Sequence, residues 1–216
     1  MEREQGLAEV NRTRIIAIIR GVAEADIEPL AEALLGGGIT VLEVTLNTPG
    51  AAGMISRLQT KFGDRLFVGA GTVLDADDLQ IALDAGAAFI VTPNTDEDVI
   101  RRCRNLDIPV FPGAMTPSEV VRAWKAGATA VKLFPSASLG LGYIKELQGP
   151  LKHIPMVAVG GVNTENIADF IRSGCYAVGI GGYIINLKEI AAGNFAWVKE
   201  RASQLIERAA AGSVRP

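Results

Sequence analysis

The 216 residues are 49% hydrophobic and 21% charged, with 24 glycines, 10 prolines and a net charge of −3. This balance fits one globular domain that buries about 70–75% of the surface of its unfolded chain. No basic run points to a nucleic-acid partner, and no apolar run approaches the ~20 residues of a membrane span.

Two cysteines far apart, Cys103 and Cys175, do not suggest a disulfide scaffold, and one histidine, His153, cannot build a histidine-rich metal centre. The charged N-terminus is unlike a signal segment, so a metal-independent cytoplasmic protein is expected. Residues 1–13 read as an N-terminal helix. Eight apolar, β-branched runs follow: IIAII from Ile15, VLEVTL from Val41, FVGAGTV from Phe67, FIVTP from Phe89, VFPGA from Val110, AVKLFP from Ala130, MVAVGG from Met156 and AVGIGG from Ala177. Their starts fall 20–26 residues apart. Helix-like segments lie between them, with matching punctuation. Thr116 reads as an N-cap, with Pro117 at the first helical position and Glu119 closing a capping box. Gly36, Gly86, Gly127 and Gly174 each end a helical stretch, where a left-handed residue fits. Residues 188–211, KEIAAGNFAWVKERASQLIERAAA, read as one long closing helix.

Eight strand–helix units whose strands are too apolar to face water predict a closed (β/α)8 barrel over residues 14–187, within a single domain covering 1–216. An open doubly wound sheet would use fewer strands and usually carry G-x-G-x-x-G after the first, which is absent here.

Side chains in such a barrel alternate between the interior and the helix layer, and chemistry gathers at the C-terminal strand ends. Alternation puts Lys132 on one face with Ala130 and Phe134, opposite Val131 and Leu133. It also puts Glu43 with Thr45, opposite Leu42, Val44 and Leu46. A buried ammonium costs several kcal/mol unless it is paired or neutral. A buried Glu43–Lys132 ion pair is one reading, although such pairs often stabilise no better than apolar residues. The other is chemical: desolvation lowers the lysine pKa, leaving neutral amine to attack a carbonyl carbon, while the interior carboxylate moves protons. Arg20 at the end of strand one and Thr72 at the end of strand three would suit a substrate carboxylate. Arginine also ends strands simply by reaching solvent, and threonine is a good strand former. Gly160-Gly161 and Gly181-Gly182 follow strands seven and eight, where barrels bind phosphate through backbone N–H groups; tight loops would select the same residues. These residues suggest a lysine-dependent aldolase acting on a 2-oxo acid. The rivals are a phosphate-binding barrel isomerase or synthase and a non-catalytic sugar-acid sensor.

Over residues 14–190, "LEVTLNTPGA", "VGAGTVLDADDL", "IVTPN", "FPGAMTPSE", "AVKLFPS" and "MVAVGGVNTENI" resemble the class I aldolases of the Entner–Doudoroff type. Those enzymes cleave 2-dehydro-3-deoxy-6-phosphogluconate and often 4-hydroxy-2-oxoglutarate. "LNTP", "TPN" and "LFPSASLGLGYIKEL" lean towards the 2-dehydro-3-deoxy-6-phosphogalactonate branch. The resemblance implies that Lys132 forms a Schiff base, that Glu43 is the acid/base, and that Arg20 and Thr72 hold the pyruvyl carboxylate. It further implies a pocket lined by Pro93 and Phe134, a (β/α)8 homotrimer, and no metal or organic cofactor. Pyruvate and glyceraldehyde 3-phosphate would be the products. Two positions depart from the family pattern. Asn47 stands where the phosphogluconate branch often has arginine after "EVTL", leaving Arg20 to supply positive charge. Gly182-Tyr183 stands where many members place a phosphate-binding serine, which keeps unphosphorylated acids such as 4-hydroxy-2-oxoglutarate or 2-dehydro-3-deoxygluconate open as alternative substrates.

Overall fold

The computed structural model describes residues 1–213. Its strands are β1 (Ile15–Ile19), β2 (Val41–Thr45), β3 (Phe67–Gly71), β4 (Ile90–Val91), β5 (Val110–Phe111), β6 (Gly113–Ala114), β7 (Val131–Leu133), β8 (Met156–Val159) and β9 (Ala177–Ile180). Every pairing is parallel, in the order β5-β4-β3-β2-β1-β9-β8-β7-β6. The two ends of that order, β5 and β6, are separated in the chain only by Pro112. Proline has no N–H to give to a ladder, but its carbonyl still accepts from the Lys132 amide at 2.8 Å. Nine strand segments therefore make eight staves, and the sheet closes through Pro112 into the expected barrel. Six staves begin where the sequence pattern puts them; the fourth and sixth begin one residue later, at Ile90 and Val131.

Helices α1 (Arg3–Thr13), α2 (Ile27–Gly36), α3 (Ala51–Phe62), α4 (Ala76–Asp84), α5 (Glu97–Asn105), α6 (Pro117–Ala126), α7 (Ser136–Leu151), α8 (Ile167–Arg172), α9 (Leu187–Ala191) and α10 (Phe195–Ser213) complete the chain. The capping box of α6 forms as expected, with Glu119 N–H donating to Thr116 Oγ1 and Thr116 N–H to Glu119 Oε2. Two expectations need correction. Gly36 is the last residue of α2, and the left-handed residue is Gly38, because the amides of Gly37 and Gly38 still reach back to helix carbonyls. The closing segment is two helices: Gly193 turns left-handed after α9, and Asn194 Oδ1 then accepts from Trp197 N–H to start α10.

Alternation sorts the core into two bodies. Leu42, Val44, Val131, Leu133, Val178 and Ile180 face the helices, whereas Ile16, Ile18, Val41, Val91, Ala130, Val157, Val159 and Ala177 fill the barrel. Phe67, Phe89 and Phe111 occupy the N-terminal half of the interior, their rings 4.8 and 5.7 Å apart in sequence. Helix α1 plugs that end with Leu7 and Val10. Gly6 makes the plug possible, since a Cβ there would lie only 2.2 Å from the Phe67 ring. Each buried ring contributes on the order of 1.5–3 kcal/mol of hydrophobic stabilisation. Cys103 and Cys175 are buried free thiols whose pKa values burial pushes up to about 12, which suits a packing role. Among the described residues no helix is long and apolar enough to cross a membrane, and no cluster of acidic, histidine or cysteine side chains could hold a metal.

Candidate active site

The C-terminal half of the barrel is built differently, with glycines where the other end has rings. A Cβ on Gly71 would lie 2.5 Å from Glu43 Cδ, one on Gly179 would press on Val159 and Ile18, and one on Gly113 would meet the Pro93 carbonyl group. The missing side chain on β3 thus leaves room for the Glu43 carboxyl, while those on β6 and β9 make room for the Pro93 backbone and for Val159 and Ile18. Glu43 is 2% exposed and Lys132 5% exposed.

Burial pushes the Glu43 carboxyl above the usual carboxylate range, against the opposing charges of Lys132 and Arg20, which lower it. Burial likewise pushes the Lys132 amine below its ordinary value; the Glu43 charge raises it, and the Arg20 charge lowers it. Desolvation wins for both groups. No salt bridge joins Glu43 to Lys132 among the described residues. Glu43 Oε1 is moreover a buried oxygen with no hydrogen-bond partner. A tight structural ion pair is therefore not what holds these residues in the barrel. An unsatisfied buried oxygen costs about 1–3 kcal/mol or more, which a purely structural site would have little reason to retain.

A cavity of about 480 Å³ opens over this floor. It brings together Arg20, Lys132, Phe134, Gly160, Gly161, Gly181 and Gly182. Lys132 Nζ lies 5.2 Å from the centroid of the Phe134 ring, a large apolar surface that is 39% exposed at the mouth. Gly160 and Gly161 both have positive φ (104° and 71°), a loop shape that glycine adopts without strain. Glu43, Thr72 and Pro93 do not line that cavity. Thr72 and Pro93 follow β3 and β4 on the barrel rim, next to the two glycines, Gly71 and Gly113, that make space for Glu43 and for the Pro93 backbone. Thr72 also sits at φ 59°, a left-handed conformation that is strained for a β-branched residue, at about 1–3 kcal/mol.

Sequence reasoning missed how Arg20 is held. Thr45 Oγ1 donates to the Ile19 carbonyl at 3.2 Å, and Gly21 N–H donates to Thr48 Oγ1 at 2.9 Å. The two threonine hydroxyls, both buried, lie 3.1 Å from each other. The backbone on each side of Arg20 is thereby pinned to the end of β2. The only sign in the sequence was the pair of threonines in "VTLNT". Ile18, Val159 and Asn163 were also missed as cavity residues; the first two looked like ordinary strand positions.

Known proteins resemble this chain in both sequence and fold. A family model described as KDPG and KHG aldolase matches residues 7–201. The 2-dehydro-3-deoxy-6-phosphogalactonate aldolase of Escherichia coli (strain K12) is 38% identical over 168 residues, covering 77% of this chain and 82% of the relative. The 2-dehydro-3-deoxy-phosphogluconate aldolase of Pseudomonas aeruginosa is 36% identical over 197 residues, covering 90% and 89%. Among solved structures, a KDPG aldolase from Legionella pneumophila, with pyruvate captured at low pH as a covalent carbinolamine intermediate, superposes with a TM-score of 0.86 at 30% identity. That match covers 93% of this chain and 98% of the other.

Proposed function

Because the chain belongs to the KDPG and KHG aldolase family, we propose that it is a Schiff-base aldolase cleaving a 2-dehydro-3-deoxy-6-phospho sugar acid to pyruvate and glyceraldehyde 3-phosphate. The observation that carries the reading is a desolvated lysine at the floor of an open cavity, beside a buried carboxyl that makes no ion pair with it.

In the reaction, neutral Lys132 Nζ adds to the C2 carbonyl carbon, and the carbonyl oxygen takes up a proton. The resulting carbinolamine takes a proton from the Glu43 carboxyl on its hydroxyl and loses water, giving an iminium and the Glu43 carboxylate. Glu43, as carboxylate, then removes the C4 hydroxyl proton as the C3–C4 bond breaks. The aldehyde leaves, and the bonding pair moves towards the iminium nitrogen, giving an enamine. Protonation at C3 and hydrolysis release pyruvate and restore the amine. Arg20 offers a positive charge to the carboxylate from the cavity wall, with Thr72 adding a hydroxyl from the rim. Phe134 covers the methylene of the substrate. Gly160-Gly161 and Gly181-Gly182 receive the phosphate on backbone N–H groups.

Incubation with pyruvate and borohydride tests the reading. One reduced pyruvyl adduct is expected, on Lys132, and Lys132→Arg should abolish turnover because a guanidinium stays protonated. An adduct on another lysine, or none, would sink the mechanism. A second reading is kept by one observation: glycine and tyrosine at 182 and 183, where a serine would serve phosphate. It assigns unphosphorylated 2-oxo acids to the same chemistry, and comparable kcat/KM for phosphorylated and free sugar acids would favour it. We also propose homotrimeric assembly, as the family resemblance implies; the exposed Leu74 and Ile81 supply apolar surface that it could cover.

A further inference from the structure

Tyr183, directly after Gly181-Gly182, lines the candidate cavity, and its ring is fixed from behind. Its hydroxyl lies 2.6 Å from Thr164 Oγ1 and accepts from Arg201 Nη1 at 2.8 Å. The Arg201 guanidinium stacks over the Tyr183 ring and the Trp197 ring, 5.2 Å from each centroid. No carboxylate pairs with Arg201 among the described residues.

These contacts have two consequences. First, Thr164 belongs to the loop that carries Gly160-Gly161, and Tyr183 to the loop that carries Gly181-Gly182. Their hydrogen bond is the one side-chain link between those loops among the described residues. Second, α10 places an uncompensated cation behind the wall of a cavity in a chain of net charge −3. A guanidinium that donates to the Tyr183 hydroxyl and lies 5.2 Å from two ring centroids is restrained in orientation, and its charge is poorly screened on the ring side.

We propose that Tyr183 is a specificity determinant for the far end of the substrate, and that Thr164 and Arg201 are its positioning residues. Together they hold the two glycine loops at a fixed separation and bias that end of the cavity towards an anionic, phosphorylated terminus. They take over the task of the serine hydroxyl that Gly182 lacks. The proposal rests on the phosphorylated-substrate reading above.

The test separates the two ends of the cavity. Cleavage of a 6-phosphorylated 2-oxo-3-deoxy sugar acid and inhibition by inorganic phosphate report the far end. Exchange of the methyl protons of pyruvate reports the Schiff-base end. Arg201→Gln should raise KM for the phosphorylated acid and the inhibition constant of phosphate by roughly five- to tenfold, the scale of one charge-assisted contact. The KM of pyruvate in exchange should move by less than about twofold. Arg201→Lys, which keeps the charge, should recover at least half of the logarithmic loss. Tyr183→Phe and Thr164→Val are close to isosteric and should each raise the phosphate constants about threefold, so they carry the test if Arg201→Gln does not fold. Equal losses at both ends would overturn the proposal by making the cluster a general structural support. Unchanged phosphate constants in variants of a wild type that prefers phosphorylated substrate would overturn it alone. A wild type with no such preference would overturn both the substrate reading and this one.

Discussion

Replacing Gly71 with alanine adds one methyl group, and the structure dictates where it goes. The new Cβ would lie 2.5 Å from Glu43 Cδ and 2.6 Å from Cγ, and closer still to Oε1. An ordinary contact begins at 3.4 Å, so the carboxyl carbon must retreat by about 0.9 Å. The backbone offers no objection, because Gly71 is in the middle of no left-handed turn and alanine stiffens the unfolded chain, worth about 0.4–1 kcal/mol in favour of folding. Overpacking costs about 1–3 kcal/mol in a tight core, and here the clash falls on the end of a side chain rather than on backbone. The fold should therefore survive with a small loss of stability. Activity should not survive as well: an error of about 1 Å in a reacting group costs on the order of 10²-fold.

Two readouts check this, thermal unfolding and the exchange of pyruvate methyl protons followed by NMR. Gly71→Ala should lower exchange about 10²-fold, while borohydride trapping of pyruvate on the lysine persists. In a Glu43→Gln background, itself about 10²–10⁴-fold slower, the same methyl group should add less than about threefold, since the displaced proton carrier is already gone. Exchange within threefold of wild type in a folded Gly71→Ala protein would refute the placement of Glu43 over β3, or its role.

Two further outcomes follow from the same geometry. Thr48→Val removes the acceptor of Gly21 N–H and should weaken pyruvate binding about three- to tenfold; Thr48→Ser should restore it, and in an Arg20→Gln background the valine should add less than twofold. Equal effects in both backgrounds would show that Thr48 does not act through Arg20. The second concerns pH. Trapping needs neutral amine, so its rate rises with pH through the Lys132 pKa, which lies below the ordinary lysine value of 10.5. Arg20 lowers that pKa, so Arg20→Gln should move the midpoint of the rise to higher pH; an unmoved or lower midpoint contradicts the coupling.

Much of this was legible in the sequence because the barrel obeys two short-range rules. Period-two alternation put Lys132 with Ala130, and Glu43 opposite Leu42 and Val44, where the structure has them. The capping box at Thr116 depends on four consecutive residues. What escaped depends on contacts between distant elements. The break in the fifth stave at Pro112 is visible only once β7 offers its Lys132 amide to the Pro112 carbonyl. Arg201 looked like one more charge on a closing helix, and only its docking over Tyr183 gives it an anionic-site role to test. The same holds for Gly71, whose lack of a side chain matters because of a carboxyl on the neighbouring strand.

The electrostatics of the floor also explain why a barrel interior is a good place for this chemistry. Burial moves both titrating groups towards their neutral forms, the amine downwards and the carboxyl upwards. A neutral amine can attack a carbonyl, and a protonated carboxyl can hand a proton to the departing hydroxyl, so one low-dielectric site prepares both partners of the first stage. Arg20 works against the second of these, since its charge lowers the Glu43 pKa as well as that of Lys132. A substrate carboxylate seated on Arg20 would cancel much of that field. The Glu43 pKa should then rise further on binding, favouring the protonated acid while there is an intermediate to receive its proton. In the free protein the Arg20 charge adds to burial in holding the lysine pKa below its ordinary value. We propose that Arg20 contributes twice, by holding the carboxylate and by making the acid respond to it.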